Sequence, residues 1–318
     1  MLHLRAIVPA ERTDAVCKEL AACAGATNVV VIAGAARSPQ GDLVTADIAR
    51  EAANEVLDAL RALDVDRDGS IALDKVDLTL SDHAEVAKDL APGHGDDAVV
   101  WEELDRQVSE GTALTWSFVA FLVLATQLAA IAALIDSPVL VVGAMVLGPE
   151  FAAIAAICFG LVRLQPGRIV HAVRALAVGF TVAVAVTYVC ALAARWTGVI
   201  ELDRLPDKRP LTAFIYSPDR WSFIVALLAG AAGVLSLTAG KSSALVGVFI
   251  SVTTVPAAGN LAVAMALKHG SEITGSLLQL GVNIVGMIIA GTVTLLVQRS
   301  LWAVVLRHRG RRTAARGT

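Results

Sequence analysis

Between residues 112 and 306 the chain runs through six apolar stretches, near 114–135, 139–162, 169–194, 221–239, 243–267 and 273–298. A bilayer core of about 30 Å is crossed by roughly 20 helical residues, so each stretch is long enough to span it. In lipid every backbone amide and carbonyl needs a partner inside the protein, which makes bundled helices the expected fold. Two of the stretches are interrupted: VVGAMVLGPEFAAIAA holds Pro149 and LVGVFISVTTVPAAGNLAVA holds Pro256. Proline removes a donor and clashes with the carbonyl one turn back. Such breaks survive in membranes where protein or a water-filled cavity surrounds the freed groups.

The two prolines occupy matching places. Aligning Pro149 with Pro256 sets an offset of 107, at which Gly179 falls on Gly286 and the Asp136-Ser137 turn falls beside Ser242-Ser243. Three spans are an odd number, so consecutive copies must enter the bilayer in opposite orientations. The expectation is an α-helical polytopic membrane domain of about six spans, a 3+3 inverted repeat with proline-interrupted helices. Paired interruptions in such repeats point to a transporter-type binding site.

Composition agrees, and charge divides the chain. Hydrophobic residues make up 56%, mean hydropathy is +0.68 and charged residues are 17%, against about 25% charged in soluble domains. Residues 1–110 hold ten Lys and Arg against twenty-two Asp and Glu, a net of −12, while the remainder is +9. MLHLRAIVPAERTD is too charged for the apolar core of a secretory signal, so the acidic head is expected to stay in the cytosol. Cys17, Cys23, Cys158 and Cys190 show no metal spacing, and neither a disulfide framework nor a metal site is expected.

In the head, Leu2–Val8 alternates like a strand, Glu11–Gly25 reads as an amphipathic helix, and Thr27–Ala33 is a β-branched run. After the Ser38–Gly41 turn, Asp42–Ile48 alternates again, Ala49–Leu63 has helical spacing and Ser70–Leu80 supplies a fourth strand. The order βαββαβ is that of an α+β ferredoxin-like domain. Asp64, Asp66, Asp68 and Gly69 follow the first half of a calcium loop, but its twelfth position is Lys75 where a bidentate Glu is needed; a turn is expected instead. Residues 1–80 form this domain, 81–111 an acidic linker and juxtamembrane helix from Ala98 to Gly111, 112–306 the transmembrane domain and 307–318 a basic tail.

Lys and Arg in short loops set orientation. Arg163, Arg168 and Arg174, then Lys241, then the tail with Arg299, Arg307, Arg309, Arg311, Arg312 and Arg316 favour both termini inside. Arg195, Arg204, Lys208, Arg209 and Arg220 between the third and fourth spans argue the other way, although four acids are interleaved with them.

Glu150 follows Pro149 directly, and a carboxylate at membrane depth marks a functional site by default; it could also cap the second half of a broken helix. Thr253, Thr254 and Asn260 flank Pro256 with hydroxyls and an amide suited to a small cation or polar solute. Gln279 and Asn283 share one face of the sixth span, and Gln127 lies on the first. No nucleophile–base pair, phosphate loop, HExxH or dinucleotide fingerprint is present, so no enzyme, cofactor or metal is expected. The groups around Pro256 serve equally well for bonding between helices, worth about 0.6 kcal/mol each, and for each Thr taken alone that is the plainer use.

SPVLVVGAMVLGP from Ser137 to Pro149, GAAGVLS from Gly230 to Ser236 and VNIVG from Val282 to Gly286 resemble the bacterial and archaeal membrane family called domain of unknown function 389. The segment from Gly69 to Asp77 resembles the part that precedes the membrane body in such proteins. The resemblance implies a multi-pass protein of the inner (plasma) membrane with a cytosolic amino-terminal domain, and it implies no activity. The residues themselves point to a transporter or channel for a small solute or ion, gated or assembled by the head. Two alternatives stand beside it: a membrane-anchored sensor whose head binds a small effector, and a structural scaffold. Expected partners are the lipid bilayer, further copies of the chain through the head's sheet edges, and a small-molecule effector on the head. No nucleic acid is expected.

Overall fold

The computed structural model describes residues 1–76, 78–91, 99–198, 209–239 and 253–314. Expectations on Lys241, Arg204, Lys208, Ala98, residues 243–252 and the final residues 315–318 lie outside the described residues, as do those on the side chains of the basic tail. The chain divides into two compact units, Met1–Glu102 with Ser300–Thr318, and Glu103–Arg299.

In the first unit β1 (Leu2–Val8) is followed by α1 (Thr13–Ala22), β2 (Ala26–Arg37), β3 (Gln40–Ile48), α2 (Ala53–Ala62), the single turn α3 (Val65–Asp68) and β4 (Ser70–Lys75). The sheet order is β2-β3-β1-β4, antiparallel throughout, with Leu2 opposite Ile48 and Val8 opposite Asp42. Alternation explains the core: Leu4, Ala6 and Val8 of β1 and Val44, Ala46 and Ile48 of β3 pack on Val16 and Leu20 of α1 and on Val56 and Leu60 of α2. Gly41 and Gly69 press against the carbonyls of Val8 and Ile7, where a Cβ would overlap. The edge strand β2 leaves Val29, Val30, Val31 and Ile32 exposed.

Two expectations change here. β4 stops at Lys75, and Leu78 and Leu80 are exposed, so the apolar pattern beyond the step at Val76 has no sheet to join. The acidic segment read as linker contains α4 (Asp82–Leu90), whose N-cap Ser81 accepts from the Ala84 amide at 3.3 Å and whose Ala84 and Ala87 are buried. The segment before α5 (Trp101–Gly111) is pinned by Asn54, which donates to the Val99 carbonyl at 2.8 Å and accepts from the Trp101 amide at 3.2 Å.

Asp42 gives the head an acid dependence. The Thr13 hydroxyl donates to its carboxylate at 2.7 Å and the Gly34 amide at 2.8 Å, and these bonds hold its pKa below the ordinary carboxylate value against the opposing effect of burial. A lowered folded-state pKa means the stabilisation is complete above about pH 4 and is lost as pH falls through the folded value. Thr13→Val is therefore expected to lower the melting temperature of the head at neutral pH and to flatten its decline on acidification. Thermal scans of the whole chain at a series of pH values check this; parallel declines in both proteins would remove Asp42 as the cause.

The second unit contains α6 (Trp116–Leu134), α7 (Pro138–Leu147), α8 (Glu150–Val162), α9 (Pro166–Trp196), α10 (Arg220–Thr238), α11 (Thr254–Leu267) and most of α12 (Gly270–Ala314). Among the described residues four helices, α6, α9, α10 and α12, are long and apolar enough to span a membrane, and α7 with α8 makes a fifth candidate bent by 55°. Of the fifth expected span, near 243–267, only the shorter helix α11 is described, with Pro256 in its first turn, where the missing N–H costs no helical bond. Every residue of α11 but Met265 is buried, as an all-round apolar helix requires. It packs on α6 and α9, and its Gly259 meets Thr126, Ala129 and Ala130 of α6 so closely that a Cβ would lie 2.7 Å from the Ala130 amide nitrogen.

Candidate functional site

The bend between α7 and α8 is built from the sequence. Ser137 caps α7 and Pro138 opens it, while Gly148 and Pro149 leave the helical path before Glu150 starts α8. Gly148 has no room for a side chain, because the Glu150 carboxylate folds back over it and Val255 Cγ2 lies 2.9 Å from the site of a Cβ. The break thus abuts the first turn of α11, and the two proline segments meet. Glu150 is wholly buried, and neither carboxylate oxygen has a hydrogen-bond partner among the described residues.

One turn of α11 and one face of α12 then gather the remaining polar groups. Gln279 donates to the Thr253 hydroxyl at 3.3 Å and to the Asn283 carbonyl at 3.4 Å, and the Asn283 amide also donates to Thr253. The Thr254 hydroxyl and the Gln279 carbonyl oxygen are buried without partners among the described residues. Beside Thr253, Thr254 and Asn283 lies a cleft of about 10 Å³, no more than one water molecule occupies.

Asn260 belongs to a second network. It accepts from Arg209 at 2.8 Å and donates to Glu272 at 3.2 Å and to Ser276 at 3.0 Å. Arg209 pairs with Glu272, donates to the Ala133 carbonyl at 3.3 Å and lies with its guanidinium carbon 4.6 Å from the centre of the Tyr216 ring. Read as a loop charge in the sequence, Arg209 is 1% exposed. Glu272 was missed too, yet Glu272, Ser276, Gln279 and Asn283 recur at intervals of four, three and four residues, the spacing of one helical face.

Gln127 lies apart from both networks. It donates to the Cys190 thiol at 3.4 Å in a groove of about 460 Å³ between α6, α9 and α11, where the buried Thr187 hydroxyl has no partner among the described residues. Among the described residues no cluster of His, Cys, Asp and Glu has the arrangement of a metal site.

Among the described residues several apolar helices, four or five of them of spanning length, thus enclose a buried polar centre, and their length and composition are those of a multi-pass membrane protein. Residues 145–289 match the model of Domain of unknown function (DUF389), and this stretch is similar to that family. The matched segment contains Arg209, Glu272 and every candidate residue except Gln127. No curated protein and no solved structure matches the chain.

Proposed function

We propose that the protein moves a small solute or ion across the membrane, as a transporter or channel, through the region where the α7–α8 break meets α11. The observation that carries this is Glu150, buried and without a partner among the described residues. A carboxylate at such depth is costly and is tolerated when a proton or a cation neutralises it. A small cation is the solute class that this chemistry suits best, with Thr253, Thr254, Gln279 and Asn283 as neighbouring ligands.

The glycines paired by the offset of 107 support the inverted repeat. A Cβ on Gly179 of α9 would lie 2.9 Å from Phe118 of α6, and one on Gly286 of α12 would lie 2.8 Å from Ala226 of α10. First and third helices of each half therefore touch at corresponding glycines. The strand order of the head supports the ferredoxin-like reading, and β2, with no strand on one side among the described residues, is the edge at which copies of the chain would pair. An effector on the head, both termini inside, and the bacterial or archaeal inner membrane complete the reading.

The test is cation and proton flux into liposomes holding the purified chain, followed with an entrapped pH dye during pulses of sodium or potassium. Glu150→Gln is expected to lower flux by about tenfold or more while the protein remains folded. Flux that is unchanged in this variant, or wild-type flux no greater than that of empty liposomes, would overturn the reading.

A further inference from the structure

Residues 209–217, with one 3-10 turn at Ala213–Ile215, form a strap over the ends of α6 and α12. Its backbone is held at two points: Asp136 accepts from the Thr212 hydroxyl at 2.6 Å and from the Leu211 amide at 3.4 Å, and the Tyr216 carbonyl packs against Gly275 so tightly that a Cβ there would overlap it. Ile215 is fully buried with Ala132, Val141, Met145 and Ala257. The strap delivers one charged group into the bundle, the guanidinium of Arg209.

What surrounds that group is a complete receptor for a planar cation. Glu272 supplies the counter-charge, and Asn260 Oδ1 and the Ala133 carbonyl accept from one terminal nitrogen. Tyr216 offers a ring face. Directed hydrogen bonds in the guanidinium plane and an aromatic face beside it are the elements by which such cations are recognised. The contacts fall on the far end of the side chain, whereas Nε, the atom joining it to the tether, has no partner among the described residues. Recognition is thus directed at the part of arginine that a free cation shares.

We propose that this pocket is a binding site for small planar cations of the guanidinium class, and that Arg209 is its tethered occupant. A free cation enters when the Arg209 side chain swings out while Tyr216 stays in place. The site opens onto the polar face of α12, where Ser276, Gln279 and Asn283 continue for about 16 Å from Glu272 at a rise of about 1.5 Å per residue. The proposal concerns binding alone and stands whether or not Glu150 carries flux.

Arg209→Gly, purified as the full chain in detergent, empties the pocket for methylguanidinium. Millimolar methylguanidinium is expected to raise the melting temperature of this variant by several degrees, since a ligand that binds only the folded state stabilises it. Sodium and tetramethylammonium chloride at equal concentration should not, and adding Glu272→Gln should abolish the response. In the wild type the same cation competes with Arg209, so amide exchange across residues 209–217 should rise above the sodium control. Absence of the specific stabilisation, or its survival in Glu272→Gln, overturns the proposal. If Arg209→Gly is not recovered folded, unchanged exchange in the wild-type strap overturns it instead.

Discussion

Arg209→Ala is expected to lower stability by about 3–5 kcal/mol, because it strands Glu272 in a setting arranged for an ion pair. The side chain of Arg209 is 0% exposed and that of Glu272 12%, so water cannot replace the lost partner easily. Combining Arg209→Met with Glu272→Met should recover most of the loss, since a buried pair exchanged for apolar groups of similar volume is often neutral. Unfolding of the two single variants and the double variant in detergent supplies the cycle. Additive losses would mean that each residue acts through packing and that the pair itself contributes little.

Gly259→Val is expected to cost about 3 kcal/mol by forcing α6 and α11 apart. The obstacle is backbone as well as side chain: a Cβ on Gly259 would stand 2.7 Å from the Ala130 nitrogen and 2.8 Å from the Thr126 carbonyl, and neither can rotate away. Small residues allow this kind of close helix approach in membranes. Gly281 is the internal control. It lies on α12 with nothing within 4 Å of its would-be Cβ, so Gly281→Ala should be neutral or gain up to about 1 kcal/mol from helix propensity. Equal losses in both variants would show that general helix perturbation, and not this contact, sets the effect.

The difference between what could and could not be read from the sequence follows from the range of the forces. Leu2–Val8 is a strand because alternation is a local property, and Gln279 and Asn283 meet because they lie one turn apart. β4 was read too long because Leu78 and Leu80 keep an apolar pattern after the sheet has run out of partners. α4 was hidden by acidic and glycine-rich composition, although Ser81 ahead of Ala84 and Ala87 carried its signature. Arg209 could not be found locally at all: Asn260 lies 51 residues away and Glu272 63, and no periodicity joins a strap to the helices it enters. Its counter-charge was legible, since Glu272 begins the polar spacing on α12. Thr187 gave no such sign.

That spacing has a mechanical meaning. Eleven residues separate Glu272 from Asn283, and at about 100° per residue this amounts to three full turns and a remainder of about 20°. The four polar groups are therefore nearly collinear with the helix axis instead of spiralling around it. Turning α12 about its axis by a single residue's angle would withdraw all four from α11 together, and no smaller set could be released by such a turn. A helix with this geometry behaves as a key with one set of teeth: engaged along its length, or disengaged along all of it.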